Sequence, residues 1–188
     1  MPARIEPAQP PFSPFIQESI EKTMPQGVPA LSLFTTLARD ERLFGKFFAA
    51  GLLGRGHLTL RQRELIIDRT TALCRSEYEW GVHVTFFGAR AGFSEEQIEA
   101  LVHGTPHDQC WSPEDSVVLQ MCDALHNDCD IDEDTWQALR AHVSEEAILE
   151  MLMLAGLYRT VSYLTNALQL PLESYAMRFP ERTATQAP

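Results

Sequence analysis

The segment Glu64-Leu-Ile-Ile-Asp-Arg-Thr-Thr-Ala-Leu-Cys-Arg-Ser-Glu-Tyr-Glu-Trp-Gly-Val-His83 decides the fold, because it contains the end of one predicted helix and the start of another. The first helix is predicted to begin at Thr59. The spacing of Thr59 to Gln62 is that of a capping box, in which two side chains cap each other's backbone amides. The apolar period then continues to about Leu73.

The second helix is predicted from Ser76, because Ser76 and Glu79 repeat the capping-box spacing. It extends to about Ala91 and ends at Gly92, a residue suited to a helix C-terminus. The turn between the two helices is short. We therefore expect them to form an antiparallel pair.

The rest of the chain shows the same helical period, and no stretch alternates with period two. Further helices are predicted to begin near Ser94, Ser112, Asp132 and Ser144. The last of them is the longest and reaches about Leu170, before Pro171. The predicted fold class is all-α.

The chain has 188 residues, of which 45% are hydrophobic, and this suits a single domain. Seven of the twelve prolines lie before residue 30, so residues 1–14 are predicted to form an extended arm. The helical domain is predicted over 15–179. Residues 180–188 are predicted to form a flexible tail.

Charge argues against several classes of partner. The chain has 15 basic and 26 acidic residues, a net charge of −11, and phosphates would be repelled. We therefore expect no nucleic-acid partner and no membrane partner. No secretory signal is visible at the N-terminus, and the four cysteines are expected to be reduced. These features predict a cytoplasmic protein.

The segment 147–158 is apolar on nearly all sides of the predicted helix. Such a helix is either buried all round or part of a subunit interface. We expect its burial to be shared between the core and a partner subunit.

The candidate site lies on the antiparallel pair. Glu79 and His83 are four residues apart and share one helix face, and Glu64 could reach them from the preceding helix. Two carboxylates and an imidazole near Tyr78 and Trp80 would form an acid/base site. The alternative is structural, with Glu79 as the second member of a capping box and His83 as an ordinary histidine bonded to it.

Two segments carry a resemblance to a known family. Arg63-Glu64-Leu-Ile-Ile and Cys74-Arg-Ser-Glu-Tyr-Glu-Trp-Gly-Val-His83, followed more loosely by the chain to about residue 175, resemble the carboxymuconolactone decarboxylase family. Its superfamily also contains alkylhydroperoxidase D. The resemblance implies an alkylhydroperoxidase D-like helical domain with a central antiparallel helix pair. It also implies a homo-oligomer, as a dimer, trimer or hexamer, with a pocket near the subunit contact.

The peroxidase branch of this superfamily has two cysteines in a fixed spacing between a glutamate and a histidine. When His83 and Glu64 are aligned with these residues, the cysteine positions fall on Ser76 and Glu79. Neither can perform dithiol chemistry, which needs an attacking and a resolving thiol. A single-thiol route through Cys74 stays open as an alternative.

The decarboxylase branch implies acid/base chemistry without a cofactor. By this resemblance Glu64, Glu79 and His83 would be catalytic and would act on a small carboxylic or lactone substrate by decarboxylation or isomerisation. Ser76, Tyr78, Trp80 and Arg75 are the expected substrate-binding residues, with Arg90 as a second candidate for the substrate carboxylate. The other hypotheses are a hydroperoxide reductase and a non-catalytic oligomeric binding protein.

No metal site is predicted. Cys122, His126 and Cys129 have an approximate ligand spacing but no fourth ligand at a usual distance. Glu64, Glu79 and His83 form a second possible ligand set, which the resemblance does not support.

Overall fold

The structure, a computed structural model, describes residues 3–181, so residues 182–188 of the predicted tail lie outside the described residues. The described chain is helical and contains no strand. This confirms the all-α prediction. The helices are α1 (Pro14–Thr23), α2 (Ser32–Leu37), α3 (Glu41–Ala49), α4 (Leu60–Leu73), α5 (Glu77–His83), α6 (Ala89–Ala91), α7 (Glu95–His103), α8 (Pro113–Asp128), α9 (Glu133–His142) and α10 (Glu145–Ala167).

The capping box predicted at Thr59 forms, and a further capping box forms at Ser94, where a helix is predicted to begin. The Thr59 side chain accepts from the amide of Gln62, and Ser94 accepts from Gln97, with the reciprocal bonds present in both. The prediction for Ser76 is wrong. Its buried hydroxyl makes no capping bond and lies 2.8 Å from the hydroxyl of Thr165 instead, so tertiary packing replaces the local cap.

The predicted helix over 76–91 is interrupted. One π-helical turn, Val84–Gly88, separates α5 from α6. A π turn inserts an extra residue into the helix and so changes the direction of the side chains that follow it. Gly92 ends this segment in the left-handed conformation at φ 77°, as its position after the helix predicts.

The antiparallel arrangement of the central pair follows from contacts at both of its ends. The amide of Ser76 donates to the carbonyl of Thr71 across the turn. At the opposite end, the Arg61 guanidinium donates to the carbonyls of Ala91 and Gly92 at 3.2 and 3.1 Å. The start of α4 therefore lies beside the end of α6.

Helix α4 is the centre of the domain, and α5, α7, α8 and α10 pack around it. Three consecutive residues, Leu65, Ile66 and Ile67, are completely buried. A buried ion pair joins α4 to α8, since Arg69 donates to both carboxylate oxygens of Asp123 at 2.6 and 2.7 Å. Neighbours on all sides fix the direction of every side chain on α4.

The two ends of the described chain pack on this core. Residues 3–13 contain no helix, and the amides of Arg4 and Ala8 donate to the carbonyls of Leu168 and Thr35. The segment 171–181 crosses α5 at Gly81, where a Cβ atom would overlap the carbonyl oxygen of Met177.

Helix α10 ends at Ala167, before the predicted Leu170, and packs on α4 and α5. Among the described helices it alone is long and apolar enough to cross a membrane. Nearly half of its apolar stretch, 44%, is buried inside the domain. The core helix of a soluble protein has the same composition.

Candidate active site

A cavity of about 690 Å³ lies beside the central pair, between the C-terminal end of α1, α3, the π turn and α10. Its wall is largely apolar. Five phenylalanines contribute to the wall: Phe34, Phe47, Phe48, Phe86 and Phe87. Its polar lining includes Glu79, His83 and Tyr158. Cavities of this size hold drug-sized ligands.

His83 is held at both ring nitrogens. Its Nδ1 lies 2.8 Å from Oε2 of Glu64 on α4, and its Nε2 lies 2.9 Å from the hydroxyl of Tyr158 on α10. All three side chains are buried. Three helices thus contribute one residue each to a connected hydrogen-bonded chain that reaches the cavity wall.

Glu79 lies on the same helix face as His83, with Oε1 at 3.5 Å from Nε2. The residue is buried, and its Oε2 has no hydrogen-bond partner among the described residues. Glu79 contributes to the cavity wall, and this oxygen is itself almost inaccessible to solvent. A carboxylate oxygen without a partner can accept a proton or a hydrogen bond from a molecule that reaches it. The structural alternative, in which Glu79 is a capping residue, is wrong because Ser76 makes no capping bond.

The electrostatics of the site favour a charged imidazole. Burial by itself lowers the pKa of His83, but the hydrogen bonds and negative charges of Glu64 and Glu79 outweigh burial and raise its pKa to about 10. His83 is then an imidazolium at neutral pH and donates from both nitrogens. Its Nε2 proton is directed to Tyr158, which leaves the phenolic hydrogen of Tyr158 for another acceptor.

A third carboxyl group lies behind this chain. Asp68 is one helical turn after Glu64, is completely buried, and has no partner for either oxygen among the described residues. Burial, and next the charge of Glu64, raises the pKa of Asp68 well above its usual value. This shift favours the neutral, protonated form of Asp68.

Two arginines lie against one ring of the wall. The guanidinium carbons of Arg63 and Arg90 are 5.4 and 5.5 Å from the ring centroid of Phe87. Arg63 also pairs with Glu64 at 2.9 Å. Arg90 is exposed, lines the cavity and makes no ion pair with the described residues.

None of the four expected substrate-binding residues lines this cavity. Arg75 is exposed in the turn before α5, with φ of 54°, and Ser76 is bonded to Thr165. Tyr78 is buried and donates to Glu173 at 2.6 Å. Trp80 is completely buried and packs on Phe179, with 5.1 Å between ring centroids. Direct contact with a ligand in the cavity is therefore not available to these residues.

All four cysteines are free, and none lines the cavity. Cys74 Sγ lies 3.9 Å from Nδ1 of His126, and burial raises the pKa of its thiol. Burial also raises the pKa of Cys122, to about 12. A thiol with a raised pKa is a poor nucleophile at neutral pH, because the thiolate is the reactive form.

Residues 3–181 contain no group of three His, Cys, Asp or Glu side chains arranged to hold a metal ion. Both possible ligand sets considered from the sequence lie within this range. The carboxylates of Glu64 and Glu79 approach different nitrogens of His83. Their lone pairs therefore face the imidazole rather than a shared point.

The sequence analysis did not identify Tyr158 or the five phenylalanines as site residues. Tyr158 lies in the apolar run of α10, where most residues are core, and it is 75 positions from His83. The one available signal was its polar hydroxyl within that run, since a buried tyrosine hydroxyl requires a partner.

Residues 42–109 match the model of the carboxymuconolactone decarboxylase family. The matched segment contains the central pair, and with it Glu64, Glu79 and His83. The match identifies residues 42–109 as a segment similar to the carboxymuconolactone decarboxylase family. No curated protein matches the chain.

Solved structures similar to this chain have the alkylhydroperoxidase D-like fold. An uncharacterized peroxidase-related protein from Silicibacter sp. TM1040 has a TM-score of 0.79 and 17% identity, over 95% of this chain and 98% of its own. A protein from Ralstonia eutropha JMP134, described as an alkylhydroperoxidase AhpD core, has a TM-score of 0.73 and 18% identity, over 90% and 93%. These similarities establish the fold.

A third similar structure is a Cys-to-Ala variant of the debrominase Bmp8 in complex with 2,3,4-tribromopyrrole. It has a TM-score of 0.74 and 13% identity, over 91% of this chain and 92% of its own. The fold of the family is therefore found in proteins described by different activities. The activity of this chain has to be argued from its own site.

Proposed function

We propose that this protein is a cofactor-free enzyme that transfers a proton at a carbon beside the carbonyl group of a small carboxylic or lactone substrate. One observation carries the proposal. The Glu64–His83–Tyr158 chain lies beside the unpaired carboxylate of Glu79 in the wall of an apolar cavity. The complex of Bmp8 with a bromopyrrole supports a small ring compound as the occupant of this fold.

Glu79 is the base. Its Oε2 has no partner to give up before it accepts a proton, and His83 keeps the neighbouring Oε1 in place. Glu64 positions His83 and does not reach the cavity.

Tyr158 stabilises the charge that develops on the substrate oxygen. When His83 is an imidazolium, its Nε2 proton is donated to the Tyr158 oxygen, and the phenolic hydrogen is donated to the substrate carbonyl. The positive charge behind the hydroxyl strengthens this hydrogen bond as the oxygen becomes negative.

The same groups serve both candidate reactions. In isomerisation the C–H bond breaks, the proton passes to Glu79, and the electron pair moves onto the carbonyl oxygen. Glu79 then returns the proton to a different carbon. In decarboxylation the bond to the carboxyl carbon breaks, carbon dioxide leaves, and the electron pair forms an enolate. The enolate carbon takes the phenolic proton of Tyr158, which is replaced by the Nε2 proton of the His83 imidazolium. Arg90 is the cation that we assign to the substrate carboxylate, in place of Arg75.

The second candidate, hydroperoxide reduction, has support in the descriptions of the similar structures as peroxidase-related. It requires a thiol, and the four thiols lie outside the cavity wall. If Cys74 carried this activity, Cys74→Ala would abolish the consumption of an alkyl hydroperoxide. We expect the wild-type protein to consume the hydroperoxide no faster than the Cys74→Ala variant does.

The test is solvent deuterium exchange, followed by NMR, on a panel of keto acids and carboxylated lactones. Wild type should exchange at least one compound, and Glu79→Gln should lose about 10²–10⁴-fold in rate, as expected for a general base. Glu77→Gln is the matched control. It lies two residues earlier on α5, outside the cavity, and should keep the wild-type rate.

Equal exchange rates in Glu79→Gln and wild type would contradict the assignment of the base. If no compound on the panel exchanged, the acid/base function would be wrong and a non-catalytic binding protein would be favoured. Circular dichroism of each variant would establish that any loss of rate occurs in a folded protein.

A further inference from the structure

The cavity is larger and more aromatic than a small lactone requires. Its volume is about 690 Å³, and five phenylalanine rings line it. We propose that its ligand is a fused-ring aromatic monocarboxylate. This inference rests on the proposed function in taking the cavity as the substrate site, and it specifies the ring system and the charge of the ligand. The proposed reaction requires in addition a C–H bond beside a carbonyl group on that ring system, which the binding probes below do not carry.

The rings of the wall are arranged to face a flat ligand. Phe34, Phe47 and Phe48 form one cluster, with ring centroids 5.0 to 6.4 Å apart at steep interplanar angles. Phe86 and Phe87 line the cavity from the π turn, 6.4 Å apart at 64°. Aromatic rings pair favourably at such tilted and edge-to-face angles, so an aromatic ligand gains from contact with this wall beyond the area that it buries.

The charge of the ligand follows from the cations of the wall. Lys22 and Arg90 line the cavity, and Lys22 is already paired with Glu18 at 2.7 Å. Arg90 has no carboxylate partner among the described residues, and its guanidinium is held against the ring of Phe87. A planar guanidinium binds a carboxylate through two parallel hydrogen bonds.

The orientation of the ligand follows from the acidic residues. Glu79 lies next to His83, whose ring centroid is 5.5 Å from that of Phe87, and the Arg90 guanidinium lies 5.5 Å from the same ring. A ligand carboxylate is repelled by Glu79 and attracted by Arg90. The carboxylate therefore binds at Arg90, and the aromatic body extends towards Tyr158 and Glu79.

The cavity wall accommodates a ligand that carries a single carboxylate. The other cations of the wall, Lys22 and His83, already face carboxylates of the protein, so a second anionic group of the ligand would have no cation of its own. Burial of an unpaired charge is strongly unfavourable. The proposed ligand class therefore excludes dicarboxylates and neutral aromatic compounds.

The probes for this inference are three compounds of the same size: 2-naphthoate, decahydronaphthalene-2-carboxylate and 2-naphthalenemethanol. Isothermal titration calorimetry would give their dissociation constants for the full chain. We expect 2-naphthoate to bind about tenfold more tightly than the saturated carboxylate, because only the former stacks on the rings. The neutral 2-naphthalenemethanol should bind about three- to tenfold more weakly than 2-naphthoate, because it has no negative charge to pair with the Arg90 guanidinium.

The variant Arg90→Gln should weaken 2-naphthoate to the affinity of the alcohol, and Arg90→Lys should restore part of the loss. Arg42→Gln, on the exposed side of α3 and outside the cavity, is the matched control and should bind as wild type. Equal affinities for the aromatic and the saturated acid, or unchanged affinity in Arg90→Gln, would overturn the inference.

The deuterium exchange assay separates this inference from the proposed function. If small lactones exchange while 2-naphthoate neither binds nor competes, the substrate class is wrong and the acid/base function stands. If 2-naphthoate binds as expected and no compound exchanges, the substrate class stands as a ligand class and the acid/base function is wrong.

Discussion

His83 carries a positive charge in a buried position because two carboxylates compensate the loss of hydration. The cost of burying the imidazolium is offset by a hydrogen bond to Glu64 at 2.8 Å and by the nearby carboxylate of Glu79. Removal of either partner would leave an unbalanced charge inside the domain, which is strongly destabilising. The catalytic arrangement and the stability of the domain therefore depend on the same contacts.

This charge makes stability depend on pH. The pKa of His83 is raised from 6.5 to about 10 in the folded protein. A raised pKa contributes stability that is fully present below about pH 6.5 and is lost as the pH rises through about 10. The difference in the free energy of unfolding between wild type and His83→Gln should therefore shrink from pH 7 to pH 10, as measured by urea denaturation.

His107→Gln, in an exposed loop, is the control. Its difference from wild type in the free energy of unfolding should stay constant from pH 7 to pH 10. A constant difference for His83→Gln as well would contradict the raised pKa. Should His83→Gln fail to fold, the ¹⁵N shifts of the His83 ring in wild type give the same answer. They should keep imidazolium values well above pH 7.

Asp68 is buried like His83, but in its case the neutral form is favoured instead of the charged form. Burial, and next the charge of Glu64, outweigh the attraction of His83 and raise the pKa of Asp68, which favours its neutral form. A neutral carboxyl group one turn from Glu64 keeps the net charge of the site small. This allows three carboxyl groups to lie within one buried region.

At the scale of the element, the π turn is the feature that shapes the cavity. Val84–Gly88 follows directly after His83 and contains Phe86 and Phe87, which both line the wall. The C-terminal segment supports it from outside. The amide of Met177 donates to the hydroxyl of Thr85, and Tyr175 packs on Phe86 at 5.7 Å between ring centroids.

Two glycines test this support. In Gly81→Ala the new methyl group overlaps the carbonyl oxygen of Met177, so the C-terminal segment must move away from α5. We expect a loss of about 1–3 kcal/mol in the free energy of unfolding, the usual cost of overpacking. Thermal and urea unfolding would measure it.

Gly156→Ala is the matched substitution, since Gly156 lies inside α10 with no atom near its added Cβ. Here the higher helix propensity of alanine should stabilise the protein by about 0.5–1 kcal/mol. A neutral or stabilising Gly81→Ala would contradict the close packing of the C-terminal segment on α5.

At the scale of the whole molecule, the unpartnered surface of α10 indicates self-association. The buried face of this helix packs on α4 and α5, whereas Leu149 and Met153 are each 63% exposed and Tyr163 is 58% exposed. We propose that this face is the homo-oligomer contact, as expected from the apolar composition of the helix. Large apolar side chains on one exposed helix face are typical of such contacts.

Met153→Glu should therefore convert the oligomer to a monomer in size-exclusion chromatography with light scattering. A charge in the middle of the contact loses its hydration without gaining a partner. Arg42→Glu, on the exposed side of α3, should leave the mass unchanged. A wild-type protein that is monomeric at high concentration would contradict the proposal.

The sequence by itself determined the helical class, the central pair and the identity of Glu64, Glu79 and His83 as neighbours. These features depend on contacts between residues a few positions apart, such as the Thr59 cap and the four-residue step from Glu79 to His83. The family resemblance added the pairing of Glu64 with His83. These two residues lie on consecutive helices that are joined by a turn.

Only the tertiary structure decided what surrounds these residues. Ser76 bonds to Thr165, Trp80 packs on Phe179, and Tyr158 reaches His83, each from a segment at least 75 residues away. Helical periodicity assigns a residue to a face, but the packing of distant segments decides whether that face meets the core, the cavity or solvent. The pKa of His83 was equally inaccessible from the sequence, because it depends on burial that all of these segments produce together.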